Sequence, residues 1–281
     1  MSASCLSPGA PPSSLEIDSE PEFHDGGEMP NLKLTVQYVG TAYFGWQIQP
    51  ARPTIQGHLK EALRVLLRQE VMPHGAARTD AGVHALGQVA NVPHIGEADP
   101  RRLLRGLNAL LPPDIRVCRV EPVGDSFHAR HSARGRIYRY RIQHGEVCSP
   151  FEREFSAWMR ATLDAGAMRR AAALLVGRHD FAAFRGAGDQ SLSPLKTIRR
   201  SEIQEQDGMI TYTVEADSFL QYMVRNIAGT LIEVGRGKIE PGRVAEILGS
   251  RDRRLAGPTA EPQGLFLVEV LYGDLVPPTG G

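Results

Sequence analysis

Along residues 31–40 the chain reads NLKLTVQYVG, with Leu32, Leu34, Val36 and Tyr38 on alternate positions, the two-residue period of a half-buried strand. The period then changes. In PTIQGHLKEALRVLLRQ, Ile55, Leu59, Ala62, Leu63, Leu66 and Leu67 make one stripe at helical spacing, with Thr54 placed to cap the first turn. GQVANV predicts a short strand. DPRRLLRGLNALLPP predicts a helix capped by Asp99, with Pro100 in its first turn and two prolines as its stop. IRVCRV and GRIYRYRI predict two more strands.

The second half repeats the alternation. DAGAMRRAAALLVG reads as a helix ending at Gly177. KTIRRSEI and MITYTVEA read as strands joined through Gln206-Asp207-Gly208, a hairpin signal. FLQYMVRNIAGTLIEVG carries Leu220, Met223, Val224, Ile227, Leu231 and Val234 at helical spacing and closes at Gly235. PGRVAEILG predicts a short helix and GLFLVEVLY a final strand. Two helix-plus-strand halves containing antiparallel hairpins argue for an α+β fold, helices on one face of a mostly antiparallel sheet.

Composition changes this picture at the ends. Residues 1–30 are rich in Pro, Ser, Gly and acids and predict a disordered tail; 276–281 predict a second loose end. The first segment has neither the basic start nor the apolar stretch of a signal peptide, and no run approaches the roughly 18 apolar residues of a membrane span. Between the tails the weakest join falls near 145–165. Cys5, Cys118 and Cys148 form no CxxC pair, which fits a reduced, cytoplasmic protein without a structural zinc site.

The formal net charge of zero is a sum of unequal parts. Residues 1–28 hold six acids and no Lys or Arg, so the remainder carries 32 basic against 26 acidic residues. Residues 99–141 alone hold ten arginines and four acids. Clustered arginine suits a phosphate backbone, although a solvated surface would also carry it.

Candidate chemistry centres on GAARTDAGVHALGQVANV, residues 75–92. Asp80 stands alone there, in small and apolar company. Its partner four residues on, His84, suggests a metal site only weakly, because Gly82 opposes a helix and no Glu or Cys completes a ligand set. No second acid is near enough for paired-carboxylate hydrolysis. Asp80 is therefore either a nucleophile or base, or a turn residue bonding backbone N–H groups. Tyr138, on one face of GRIYRYRI with Tyr140, is either core or a platform for an unstacked base. Arg225, inside an apolar helix, either snorkels to solvent or is buried against a carboxylate, for which Asp80 is a natural mate.

ARTDAGVHALGQV, FHARHSARGRIYRY, DFAAFR, FLQYMVRNIAGTLIEVGRG and GLFLVEV occur in this order over about residues 31–275. The set resembles the tRNA pseudouridine synthase A family, which isomerises uridines of the anticodon stem-loop at positions 38, 39 and 40. The resemblance implies the pseudouridine synthase fold, two related halves (31–145 and 146–275) with the active cleft between them, and a homodimer that binds tRNA. It implies Asp80 as the catalytic aspartate and Arg78 as the arginine that holds the target nucleotide out of its stack. It also implies Tyr138 on the uracil, Arg225 paired with the catalytic carboxylate, and Leu265 on the pocket floor, with Leu267 close by. Neither cofactor nor metal is implied, since the isomerisation gains and loses no atoms.

Three features depart from the family pattern. Ala77 replaces the usual glycine of the motif, which would crowd the turn if its φ were positive. Gln221 and Tyr222 replace residues that are histidines in many relatives. The acidic tail is extra, either solubilising or a transient cover for a basic cleft. Two functions of other classes compete: a non-catalytic RNA-binding module, supported by Ala77 alone, and a metal-dependent nucleosidase using Asp80 and His84.

Overall fold

The computed structural model describes residues 31–93 and 98–273. The predicted tails, 1–30 and 276–281, lie outside them. The first strand is β1 (Asn31–Tyr38), followed by α1 (Ile55–Leu67), β2 (His74–Gly75), β3 (His84–Val92), α2 (Pro100–Leu110) and β4 (Ile115–Val123). Then come β5 (Gly135–His144), β6 (Ala157–Met159), α3 (Ala165–Ala173), β7 (Gly177–Asp180), β8 (Leu195–Gln206), β9 (Met209–Ala216), α4 (Met223–Gly235), α5 (Arg243–Ser250) and β10 (Leu265–Leu271).

The strands form one mixed sheet in the order β4-β1-β3-β10-β5-β9-β8-β7, with β2 added to β3 and β6 to β5. The topology repeats. β1-α1-β2-β3-α2-β4 and β5-α3-β8-β9-α4-β10 are both βαββαβ units, each with its fourth strand beside its first and its second beside its third. The second unit opens at β5. Pairing among the four strands of each unit is antiparallel, while the added β6 runs parallel to β5. The units join through β10 against β3, a parallel contact of Phe266 with His84 and Leu267 with Ala85.

Local sequence explains most elements. Thr54 caps α1 and Asp99 caps α2, each side chain accepting a backbone N–H of its first turn. Asp207 and Gly208 both take positive φ, the turn that joins two strands through two residues with matching twist. Pro122, which cannot donate to a ladder, lies on the edge strand β4. Alternation along β1, β5 and β9 buries one face, with Leu34, Val36, Tyr140, Ile142, Tyr212 and Val214 fully enclosed. The helices cover that face: α2 packs on β4 and beside α1, α3 on β8 and against α4, and α4 on β5.

One helix starts later than its apolar spacing predicts. Leu220 is buried, but α4 begins only at Met223, because Tyr222 has φ 60° and Gln221 turns its carbonyl to the Gly186 N–H at 2.8 Å. A left-handed residue cannot continue a right-handed helix, so the chain reaches α4 through a sharp entry. Cys118 and Cys148 are free thiols.

Candidate active site

Asp80 sits on a turn that delivers the chain into β3. The Val83 N–H reaches the Asp80 carbonyl at 3.2 Å, and Gly82, third in that turn, has φ +77°. Such a turn needs φ > 0 at its third residue, which is why glycine occupies it. The preceding segment is braced from three sides. The buried Gln88 amide bonds Ala77 twice, accepting its N–H at 3.2 Å and donating to its carbonyl at 2.7 Å. The Tyr38 hydroxyl lies 2.8 Å from Thr79 Oγ1, and the Trp46 N–H reaches the Thr79 carbonyl at 3.0 Å. Gly45 allows that approach, since a Cβ on it would fall 2.5 Å from the Thr79 oxygen. Ala77 is absent from the residues with positive φ, so the methyl group that replaces the expected glycine costs the turn nothing.

The second unit supplies the partner. Arg225, in the first turn of α4, places Nη1 at 3.3 Å from Asp80 Oδ2 and donates from Nε to the Ala260 carbonyl at 2.8 Å. The carbonyl bond and the Tyr222 ring, 5.2 Å from the guanidinium, orient the cation. Side-chain exposure is 21% for Asp80 and 14% for Arg225, so the pair is screened from bulk water yet open to a ligand. Burial raises the Asp80 pKa, and the Arg225 charge and hydrogen bond oppose that rise.

Tyr138, Leu265 and Arg78 join the pair around one cavity of about 1100 Å³. Tyr138 comes from β5, 8% exposed, with its ring edge-on to Phe219 at 5.1 Å. Burial raises its pKa far above the ordinary phenol value; Arg136 opposes this and Asp80 adds to it, so the phenol is neutral. Leu265 opens β10 and lines the cavity, whereas Leu267 is fully buried opposite Tyr138 and does not. Arg78 is exposed on the cavity wall. The first unit contributes residues 44–83 to the lining and the second contributes 188–191 and 218–225. The cleft therefore lies between the units.

Its walls carry Arg52, Arg78, Arg130, Arg136 and Arg225 against two acids, Asp80 and Asp189. Asp189 is taken by Arg185 at 3.0 Å. The cleft is cationic, but not through all the arginines that the sequence placed in 99–141. Arg116 donates to the carbonyls of Pro112 and Ile115, each at 2.6 Å, closing the end of α2. Arg136 is buried and donates to the carbonyls of Ala76, Arg130 and Asp217 at 2.9–3.2 Å. Arg141 pairs with Glu152 at 2.7 Å. These three hold the fold and are not free for phosphate. Arginine on a strand looks the same in sequence whether its partner is a carbonyl or a nucleic acid.

His84 also departs from its metal reading. It is buried, stacked on Phe266 at 4.7 Å, and its Nδ1 accepts the Gly40 N–H at 3.0 Å. That bond occupies the lone pair a metal would need and places the ring proton on Nε2. Among the described residues no three His, Cys, Asp or Glu side chains are grouped to hold a metal ion. Sequence reasoning missed Gln88, Tyr38 and Thr79, the braces of the Asp80 turn. Their one signal was a polar residue, Gln88, at the centre of an apolar strand.

A braced carboxylate paired with a guanidinium, a buried tyrosine on a strand and a cationic wall meet in one cleft. The sequence profile described as tRNA pseudouridine synthase matches residues 34–132 and 171–273. This chain belongs to the tRNA pseudouridine synthase family, whose members are isomerases. It is 47% identical over 247 residues to a tRNA pseudouridine synthase A of Myxococcus xanthus, covering 88% of this chain and 93% of the relative. Its identity is 43% to that of Chromobacterium violaceum, over 86% and 93% of the two chains, and 41% to that of Thermoanaerobacter sp., over 87% and 100%.

Proposed function

We propose that this chain converts uridine to pseudouridine in the tRNA anticodon stem-loop, at positions 38, 39 and 40, with Asp80 as its catalytic carboxylate. The observation that carries the proposal is the Arg225–Asp80 pair at 3.3 Å in a cationic cleft between two units. The reaction breaks the N1–C1′ bond, turns the uracil and joins C5 to C1′. C5 loses one proton and N1 gains one, so no atom is added and no water is consumed. A single carboxylate suffices, because the second acid of a hydrolase serves to activate water. A cavity that screens the carboxylate keeps the detached base from escaping before it rejoins.

Each side chain then has a task. Arg225 keeps Asp80 ionised and aimed at the nucleoside. Arg78, exposed beside Asp80, holds the target nucleotide out of its stack. Tyr138 packs on the uracil, and its neutral phenol takes the C5 proton only while passing on its own, the net transfer ending at N1. Leu265 closes the pocket floor. The cationic rim positions RNA through phosphate contacts, so the order of bases matters less than the shape of the stem-loop. No cofactor or metal enters the scheme. The catalytic body comprises two halves, works as a homodimer on tRNA and resides in the cytoplasm. No helix among the described residues is long and apolar enough to cross a membrane.

The decisive experiment follows tritium released from C5-labelled uridine in a folded tRNA transcript, with chelator present. Wild type releases label and forms pseudouridine, and Asp80→Asn does neither. An inactive wild type would overturn the proposal; metal-dependent release of free uracil would favour a nucleosidase instead.

A further inference from the structure

Three imidazoles outside the Asp80 constellation stand together on the cleft wall. The His74 and His128 ring centroids are 5.4 Å apart, and those of His128 and His131 are 4.3 Å apart. All three line the cavity that holds Asp80, and Arg130 lines it beside them. His128 is fixed in place. Its Nδ1 accepts the N–H of Arg130 at 3.1 Å and that of His131 at 3.4 Å, which leaves the ring proton on Nε2 as a donor. Arg136 secures the same turn by donating to the Arg130 carbonyl at 3.2 Å.

Among the described residues the cluster lacks a counterion. The titratable groups acting on His128 are His131, His74 and Arg130, and no carboxylate is among them. Nor are the three rings disposed around a metal ion. Burial and these cationic or proton-accepting neighbours hold the His128 pKa below the ordinary imidazole value. Imidazoles within about 4–6 Å of one another resist being charged together in an empty cleft. An anion among them reverses this, because its charge offsets the repulsion. Phosphate is the anion that an RNA cleft receives, and this step rests on the function proposed above.

We propose that His74, His128 and His131, with Arg130, form an RNA-phosphate subsite that takes up protons as RNA binds. His128 donates to the phosphate from Nε2, the nitrogen left free by its two backbone contacts. Affinity is then highest where imidazole is protonated and falls as pH rises through the values of the loaded site.

The test is calorimetric titration of wild type with a folded tRNA transcript, in two buffers of different ionisation enthalpy, from pH 6 to pH 8. Wild type should bind roughly tenfold more tightly at pH 6 than at pH 8 and take up about one proton per RNA near pH 7. His74→Ala/His131→Ala should lose most of both effects. No proton uptake by wild type, or an undiminished pH effect in the double variant, would overturn the inference. Pseudouridine formation, measured on the same samples, reports separately on the Asp80 reading. An active wild type without proton uptake sinks only the subsite, and an inactive one with proton uptake sinks only the proposed reaction.

Discussion

Arg225 Nη1 meets Asp80 Oδ2 at 3.3 Å across a separation of 145 residues, and this ion pair ties the two βαββαβ units together inside the cleft. The partners come from structurally different places, a turn before β3 and the first turn of α4. Neither element holds the pair alone. The Gln88 and Tyr38 braces set the carboxylate, while the Ala260 carbonyl and the Tyr222 ring set the guanidinium.

The proposed reaction makes turnover depend on the ionised pair. Burial raises the Asp80 pKa and Arg225 restrains it, so turnover should be lost as pH falls through that value. Arg225→Gln removes the restraint. Its acid limb should move upward, with Arg225→Lys recovering part of the change. The stability sign is the reverse of an ordinary ion-paired acid. The folded value lies above the unfolded one, so ionised Asp80 costs stability at neutral pH, and the cost disappears on acidification. Single-turnover rates and urea midpoints against pH check both statements.

Tyr138→Phe keeps the ring and loses the hydroxyl. With packing on the uracil retained, RNA affinity should fall by no more than about tenfold, the upper range for loss of one exchanged hydrogen bond. Turnover should fall by about 10²–10⁴-fold, the usual contribution of a positioned proton-transfer group. Equal turnover in the two proteins would limit Tyr138 to packing.

The Asp80 turn should tolerate little change. Gly82→Ala forces a side chain onto φ +77° and brings its Cβ to 2.9 Å from Pro262 Cγ, costing about 1–2 kcal/mol and displacing the carboxylate. Gln88→Leu leaves the Ala77 N–H and carbonyl without partners and should cost about 2 kcal/mol. Both variants should lose more turnover than RNA affinity, measured by denaturant titration alongside filter binding.

The arginines should separate into two groups. Arg136→Gln removes a buried guanidinium that bonds three carbonyls, so about 2–4 kcal/mol of stability should go with it. Arg52 and Arg78 are exposed on the cleft. Arg52→Gln and Arg78→Gln should leave the urea midpoint unchanged and lower the slope of log affinity against log salt by about 0.7–0.9 for each phosphate no longer neutralised.

Much of this protein is written in local pattern. Alternation at Leu32–Tyr38, the helical stripe from Ile55, the caps Thr54 and Asp99 and the Asp207-Gly208 turn depend on neighbours within a few residues. Each reads from sequence for that reason, and the ordered motifs around Asp80, Tyr138 and Arg225 were enough to point to the family. Tertiary structure decided the rest. It put the last strand, β10, between β3 and β5, because those edges of the two units were open to pairing. It turned Arg116 and Arg136 inward to carbonyls, started α4 at Met223 and gathered His74, His128 and His131 on one wall. These outcomes depend on which buried polar groups lack partners once distant segments meet, and no window of adjacent residues contains that information.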